Sequence, residues 1–288
     1  MARAAEHLSV SQPVVSKTIA ELEASLGVRL LDRTSQGVEP TIYGSALARR
    51  STGLFNDLRT AVGELNTLAD PDAGELRIGT TEPMAAGLVS KIISQLLHDY
   101  PRVTLHVVLG DLPLLQEREL REREIDLMIG RLQNDQETEH TNLEVLFWES
   151  AFVVAGAKHD LTRRRKIKLR ELMNEPWCLP PPQSFPGMLI GRAFQAAGLD
   201  VPRTSVTAHS IQIQNALLAT GRFLTILPET MMHFGAERLG LRALPVDLPI
   251  ESTPVAIVTL RNRELPPVAK LFIERARSVA KPFSRRKS

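Results

Sequence analysis

Apolar positions recur at helical spacing from Ala2 to Leu68, with interruptions at Ser9, at Gly27, and from Asp32 to Gly44, a stretch that contains Gly37 and Pro40. The pattern predicts a small helical unit, a hairpin and one long helix. Within the unit, Ser11 stands as an N-cap with Pro13 in the first turn of a helix that reaches Leu26. Val15, Ile19, Leu22 and Leu26 share one face of that helix and are expected to pack inward, which leaves Pro13, Ser16, Lys17 and Ala20 outward. Periodicity alone favours an ordinary two-helix hairpin. The outward face is also small and polar with one cation, as a helix entering the major groove requires. There Gln12 would pair with adenine edges and Lys17 with guanine or phosphate, Ser16 serving either role.

The long helix, with Thr41 as its N-cap, carries Leu47, Leu54, Leu58, Ala61, Leu65 and Leu68 at spacings of 7, 4, 3, 4 and 3, a heptad seam. A short N-terminal unit cannot cover such a seam, so pairing with a second copy through Leu54, Leu58, Ala61 and Leu65 is expected. Packing onto the chain's own C-terminal domain is the alternative. Asp70 to Gly74 form a polar, turn-rich hinge. Beyond it, strand patterns at Leu76–Ile78, Val103–Leu109 and Ile125–Ile129 alternate with helical ones, first the face of Leu88, Val89, Ile92, Ile93, Leu96 and Leu97 and then Leu112–Arg123. This alternation predicts a mostly parallel sheet with covering helices. A second set follows: strands at Phe152–Ala155, Trp177–Leu179, Thr204–Ala208 and Leu224–Ile226, with helices at Leu169–Met173, Gly187–Ala197 and Ile211–Ala219. The strand Val255–Leu260 and a helix from Pro266 to Ala280 close the chain. Two α/β lobes are the economical arrangement.

The length of 288 residues allows two or three domains of roughly 100 to 200 residues each. No apolar run approaches the ~20 residues of a membrane span, and the N-terminus has no signal-peptide pattern. The chain is therefore expected in the cytoplasm, without a membrane partner. One cysteine, Cys178, excludes an intrachain disulfide and a cysteine metal cluster, and no cofactor is expected. The net charge of +2 does not by itself point to nucleic acid. In residues 1–66 seven cations (Arg3, Lys17, Arg29, Arg33, Arg49, Arg50, Arg59) face seven anions, so attraction to phosphate depends on where the cations point. The basic clusters at 163–170 and 281–287 read as solvated surface.

The exact residues narrow the choice. AEHLSVSQPVVSKTIAELEASLGVRLLDRT at residues 5–34, followed by GVEPTIYG at 37–44, closely resembles the DNA-binding domain of the bacterial LysR-type transcriptional regulators. Within that motif Leu31 stands where the family often has Phe. The resemblance implies that Ser11, Gln12, Pro13, Ser16 and Lys17 serve in the recognition helix and Arg33, Thr34 and Thr41 in or beside a wing. In the family a further helix precedes the point where this sequence starts, which implies a start placed too late, or else a chain without that helix. The remainder resembles the family's effector-binding domain, similar in fold to type 2 periplasmic binding proteins, through GELRIGTTE at 74–82, IDLMIGR at 125–131 and ATGRFLTILPE at 219–229.

The expected architecture is thus a winged helix-turn-helix over 1–44, a linker and dimerisation helix with hinge over 45–73, and a bilobed α/β effector domain over 74–288. Lobe I takes about 74–151 and 254–288, lobe II about 152–253. A ligand would lie between the lobes, where strand ends and helix N-termini expose donors. The expected contacts are Thr80, Thr81, Gly110, Asp111, Arg131, Ser184, Phe185 and Ile211, with an interlobe salt bridge as the competing role of Arg131 and helix capping as that of the hydroxyls. The N-terminal half is similar to regulators of the galactose-binding-protein regulator type, which implies a sugar or an organic acid as effector. The resemblance further implies a homodimer or a tetramer, double-stranded DNA with an imperfect inverted repeat, and contact with RNA polymerase. The sequence contains no nucleophile elbow, HExxH, phosphate loop or paired dinucleotide glycines, and an enzyme is not expected. The alternative is a bilobed ligand-binding protein that does not read DNA.

Overall fold

The computed structural model describes residues 1–34, 37–69, 73–133 and 139–283. The chain divides into two compact units, Met1–Thr60 with Glu122–Glu124, and Ala61–Arg121 with Ile125–Ser288.

The first unit opens with α1 (Ala2–His7) and α2 (Gln12–Leu26). Ser11 occupies the N-cap of α2 without a side-chain capping bond, and Pro13 lies in the first turn, where its missing N–H costs nothing. The helix stops at Gly27, whose left-handed backbone (φ 68°) a residue without Cβ adopts freely. β1 (Leu31–Thr34) and β2 (Gly37–Pro40) pair antiparallel with Thr34 opposite Gly37, giving the expected hairpin. α3 (Ile42–Ala69) follows and runs on into the second unit. Its start is a joint. Thr41 Oγ1 accepts from the Gly44 N–H at 3.0 Å and donates to the Arg29 carbonyl at 2.7 Å. Gly44 packs against the Leu30 carbonyl so closely that any Cβ there would collide with it.

A second fastening is Glu23, whose Oε1 accepts from the Leu30 and Leu31 N–H groups at 2.7 and 3.1 Å. These backbone bonds hold its carboxyl below the ordinary carboxylate range. A depressed acid contributes stability that is present above its unfolded pKa and is lost as pH falls through the folded one. Glu23→Gln should therefore speed amide exchange at Leu30 and Leu31 relative to wild type at neutral pH. In acid, once the wild-type carboxyl is protonated, the difference should close. An equal difference at both pH values would contradict the assignment.

The inward face expected of α2 is only partly covered: Val15 and Ile19 are half-buried, but Leu22 and Leu26 are 42% and 48% exposed. The reason is length. A six-residue α1 spans fewer than two turns and cannot blanket four. Ser16, expected outward, is instead half-buried, with its hydroxyl donating to the Met1 sulfur at 3.1 Å.

The second unit holds two sheets. The chain passes through β3 (Ala73–Thr80), then α4 (Glu82–Met84), which continues through a π turn at Ala85–Val89 into α5 (Ser90–Asp99). Next come β4 (Arg102–Leu109), α6 (Leu112–Leu114) with a π turn at Leu115–Leu120, β5 (Leu127–Arg131) and β6 (Thr141–Glu149). The second lobe takes β7 (Ala151–Gly156), β8 (Trp177–Leu179), α7 (Phe185–Ala196), β9 (Thr204–Thr207), α8 (Ile211–Ala219), β10 (Leu224–Pro228), α9 (Glu229–Leu239) and β11 (Leu241–Ala243). The chain then returns through β12 (Thr253–Leu260) to α10 (Pro267–Ala280).

The strand orders are β4-β3-β5-β12-β6 and β11-β7-β10-β8-β9. Both sheets are mixed rather than mostly parallel. β3 runs parallel to β4 and β5, but β12 enters antiparallel to β5 and β6 because it returns from the other lobe. In the second sheet β7 is antiparallel to β10 and β11, while β8 is parallel to β9 and β10. The apolar face predicted for 88–97 is the one that is buried. Leu88, Ile92 and Leu96 are at most 1% exposed in the first lobe's core, beside Leu76, Ile78 and Phe272. Each such side chain contributes about 1.5–3 kcal/mol. The second core centres on Trp177, whose indole N–H donates to the Leu172 carbonyl at 2.8 Å and whose ring meets Phe194 edge-on at 5.9 Å.

Candidate functional site

Two surfaces and one cavity carry the residues singled out from the sequence. Ser11 at the N-cap and Gln12 and Pro13 in the first turn of α2 are exposed, as are Lys17 and Ala20 further along the helix. Among the described residues Lys17 is engaged by an i,i+4 ion pair with Glu21 at 3.7 Å, both side chains mostly in solvent, a contact that a phosphate readily displaces. The polar face read from the sequence is therefore open along Gln12, Pro13 and Lys17, while Ser16 faces Met1. Thr41 is committed to capping α3. Arg33 and Thr34 lie on β1, but their side chains are outside the described residues.

Along α3, Leu54, Leu58 and Leu65 are 70%, 61% and 65% exposed, and Ala61 is exposed with them. Phe55 (70%) and Val62 (47%) widen the stripe. The seam did not reveal these two, because they lie one position beside its Leu54 and Ala61. The side chain of Leu68 is outside the described residues.

Between the two sheets lies a cavity of about 840 Å³, within the range of small-molecule sites. Seven of the eight expected contacts line it: Thr81, Gly110, Asp111, Arg131, Ser184, Phe185 and Ile211. Thr80 does not. It is fully buried, and its hydroxyl donates to the Ile129 carbonyl at 2.8 Å, tying β3 to β5. Local pattern did not signal Glu82, His209 or Gln214, which also line the cavity.

The floor holds a buried ion pair. Glu149, the last residue of β6, is fully buried, and its Oε1 accepts from the Thr230 N–H (2.9 Å) and hydroxyl (2.6 Å) at the start of α9. Its Oε2 lies 3.3 Å from Arg131 Nε, which also donates to Thr253 Oγ1 at 2.9 Å. Burial pushes the Glu149 carboxyl above its ordinary range, against the pull of the Arg131 charge, and burial lowers the Arg131 guanidinium. Because Glu149 on β6 and Arg131 on β5 belong to the same sheet, their pair lies within the first lobe and is not the interlobe bridge weighed for Arg131. Its Nη2 is left buried without a hydrogen-bond partner. Cys178 is buried in β8, where burial raises its thiol above the usual value. Among the described residues no group of three or more His, Cys, Asp or Glu side chains is placed to hold a metal ion.

Comparison with known proteins fits this arrangement. The model of the LysR substrate binding domain matches residues 69–281, and that of the bacterial regulatory helix-turn-helix protein, lysR family, matches residues 1–45. The chain belongs to the LysR family of DNA-binding transcriptional regulators, with a C-terminal effector-binding domain; these are regulators and not enzymes. It is 29% identical to the HTH-type transcriptional regulator GbpR of Azospirillum brasilense over 285 residues, covering 99% of this chain and 83% of that protein. It is 26% identical to the transcriptional dual regulator GltC of Bacillus subtilis over 263 residues, 90% of this chain and 85% of that one. The fold matches that of CbnR, a LysR family transcriptional regulator, with a TM-score of 0.70 at 20% identity over 97% of this chain and 93% of that one. CbnR complexed with its target DNA gives 0.70 at 21% identity over 96% and 93%.

Proposed function

We propose that this chain is a sequence-specific regulator whose hold on a promoter is set by a small molecule bound between the lobes of its C-terminal domain. The observation that carries the proposal is one chain holding both an exposed polar recognition face on α2 and an 840 Å³ cavity between two lobes. Gln12, Pro13 and Lys17 enter the major groove, with Ser11 and the wing residues Arg33 and Thr34 on the backbone. Two copies pair through Leu54, Leu58, Ala61 and Leu65 on α3, and two-fold pairing calls for an imperfect inverted repeat in double-stranded DNA. Two such dimers form the tetramer. We assign the functional units to 1–44, 45–73 and 74–288, with RNA polymerase as the partner at the promoter. No helix among the described residues is long and apolar enough to cross a membrane, in keeping with action in the cytoplasm, where the DNA is. Effector binding shifts the population between lobe arrangements, and the bound DNA follows.

The dimer is testable on its own. Leu54→Asp with Leu58→Asp places two charges in the stripe and should convert a dimer or tetramer to a monomer in sedimentation velocity. The same variant should lose the two-fold symmetric footprint on the promoter. An unchanged sedimentation coefficient would rule out pairing through α3.

A further inference from the structure

The features of the cleft that attract negative charge are already answered by the chain itself. At the N-terminus of the nine-residue α8, the Ile211 N–H donates to Glu82 Oε2 at 3.0 Å, and the Ile213 N–H to Ser210 Oγ at 3.4 Å. At the N-terminus of α7 the Gly187 N–H donates to Ser184 Oγ at 3.3 Å. Glu82 also occupies the first turn of α4, so its one carboxylate complements two helix dipoles. Arg131, the single Lys or Arg among the described lining residues, has its charge matched by Glu149, and Asp111 and Glu117 add negative charge to the same wall.

What remains open is uncharged in character. Gln214 is 3% exposed and lines the cavity. Its Nε2 donates to the Ala208 carbonyl at 3.0 Å, which fixes the amide's orientation and leaves a buried Oε1 with no hydrogen-bond partner. A buried acceptor requires a donor, which an ionised carboxylate does not have. The vacant Arg131 Nη2 requires an acceptor. A molecule rich in hydroxyls carries both kinds of group.

From these contacts we propose that Glu82 is the cleft's resident anion, filling the place at the α8 N-terminus that a ligand carboxylate would take, so that the cleft selects an uncharged, hydroxylated small molecule. The proposal rests on the cleft being the effector site and names the class of ligand it admits.

The test uses the full chain, calorimetric titration and two probe sets: acetate against chloride at constant ionic strength, and a panel of aldoses with the aldonates of the same carbon skeletons. Wild type should show no saturable response to acetate. Glu82→Ala, with the α8 N-terminus vacated, should gain one, while Glu82→Gln, which keeps an acceptor for the Ile211 N–H, should not. Wild-type binders in the panel should be aldoses, and Gln214→Leu should weaken them about tenfold, as expected for one hydrogen bond lost. Aldonates that bind wild type, and are lost in Arg131→Met, would overturn the proposal while leaving the cleft as effector site. Failure of acetate to bind Glu82→Ala would overturn the role given to Glu82. Silence of every variant toward every probe would count against the cleft reading as well.

Discussion

Replacing Gln12 and Lys17 together with alanine should abolish discrimination between the promoter and random DNA, although each side chain contributes in a different way. Gln12 is the exposed first residue of α2; the bidentate pair with an adenine proposed for it would be worth about 1–3 kcal/mol of discrimination. Gln12→Ala alone should relax the preference at one base pair of each half-site. Lys17, which among the described residues pairs with a solvent-exposed Glu21, would meet phosphate on the proposed reading. Lys17→Ala should weaken all sequences alike and flatten the salt dependence by about one unit of slope. The chain's seven cations against seven anions in residues 1–66 leave no bulk attraction to mask these losses. Equilibrium binding across a salt series measures both effects. If the double variant kept its specific affinity, another surface would have to read the DNA.

The second large effect lies in the floor of the cleft. Glu149→Ala removes the partner of a guanidinium that is only 14% exposed. Breaking a buried pair from one side leaves an uncompensated charge and costs about 3–5 kcal/mol. It also strips the Thr230 N–H and hydroxyl of their acceptor. Glu149→Gln keeps an oxygen for Thr230, so adding Arg131→Met to it should recover most of the loss. Urea unfolding of wild type, Glu149→Gln, Arg131→Met and their double variant, followed by Trp148 and Trp177 emission, gives the cycle. A Glu149→Ala loss below about 1 kcal/mol would place the pair among solvent-screened surface bridges.

Much of this molecule is legible in its sequence where a short-range pattern carries the physics. The heptad run marks α3, the caps at Ser11 and Thr41 mark helix starts, and Leu88, Ile92 and Leu96 mark the buried face shared by α5 and the π turn before it. β6 escapes because Leu146 and Trp148 break the alternation of Leu143, Val145 and Phe147, where the pairing with β12 shifts register between Val255 and Ala256. α9 escapes because it follows β10 with no intervening loop, so no turn residues announce it. The cleft is legible by halves. Strand ends and the loop before α7 point to seven lining residues, whereas Glu82 meets Ile211 across 129 positions and Glu149 meets Thr230 across 81. Contacts of that range depend on how the two lobes close, which no local period encodes. Thr80 shows the converse: a hydroxyl at the right strand end is used to tie the sheet and not to meet a ligand.

The most direct test of the account is fluorescence anisotropy of the full chain on the DNA upstream of its own gene, against a shuffled duplex of equal length, over a salt series. Specific binding is expected to persist at salt concentrations where the shuffled duplex is released, with a two-fold symmetric site. Equal affinity for both duplexes at every salt concentration would contradict it and leave ligand binding without DNA reading as the function of the chain.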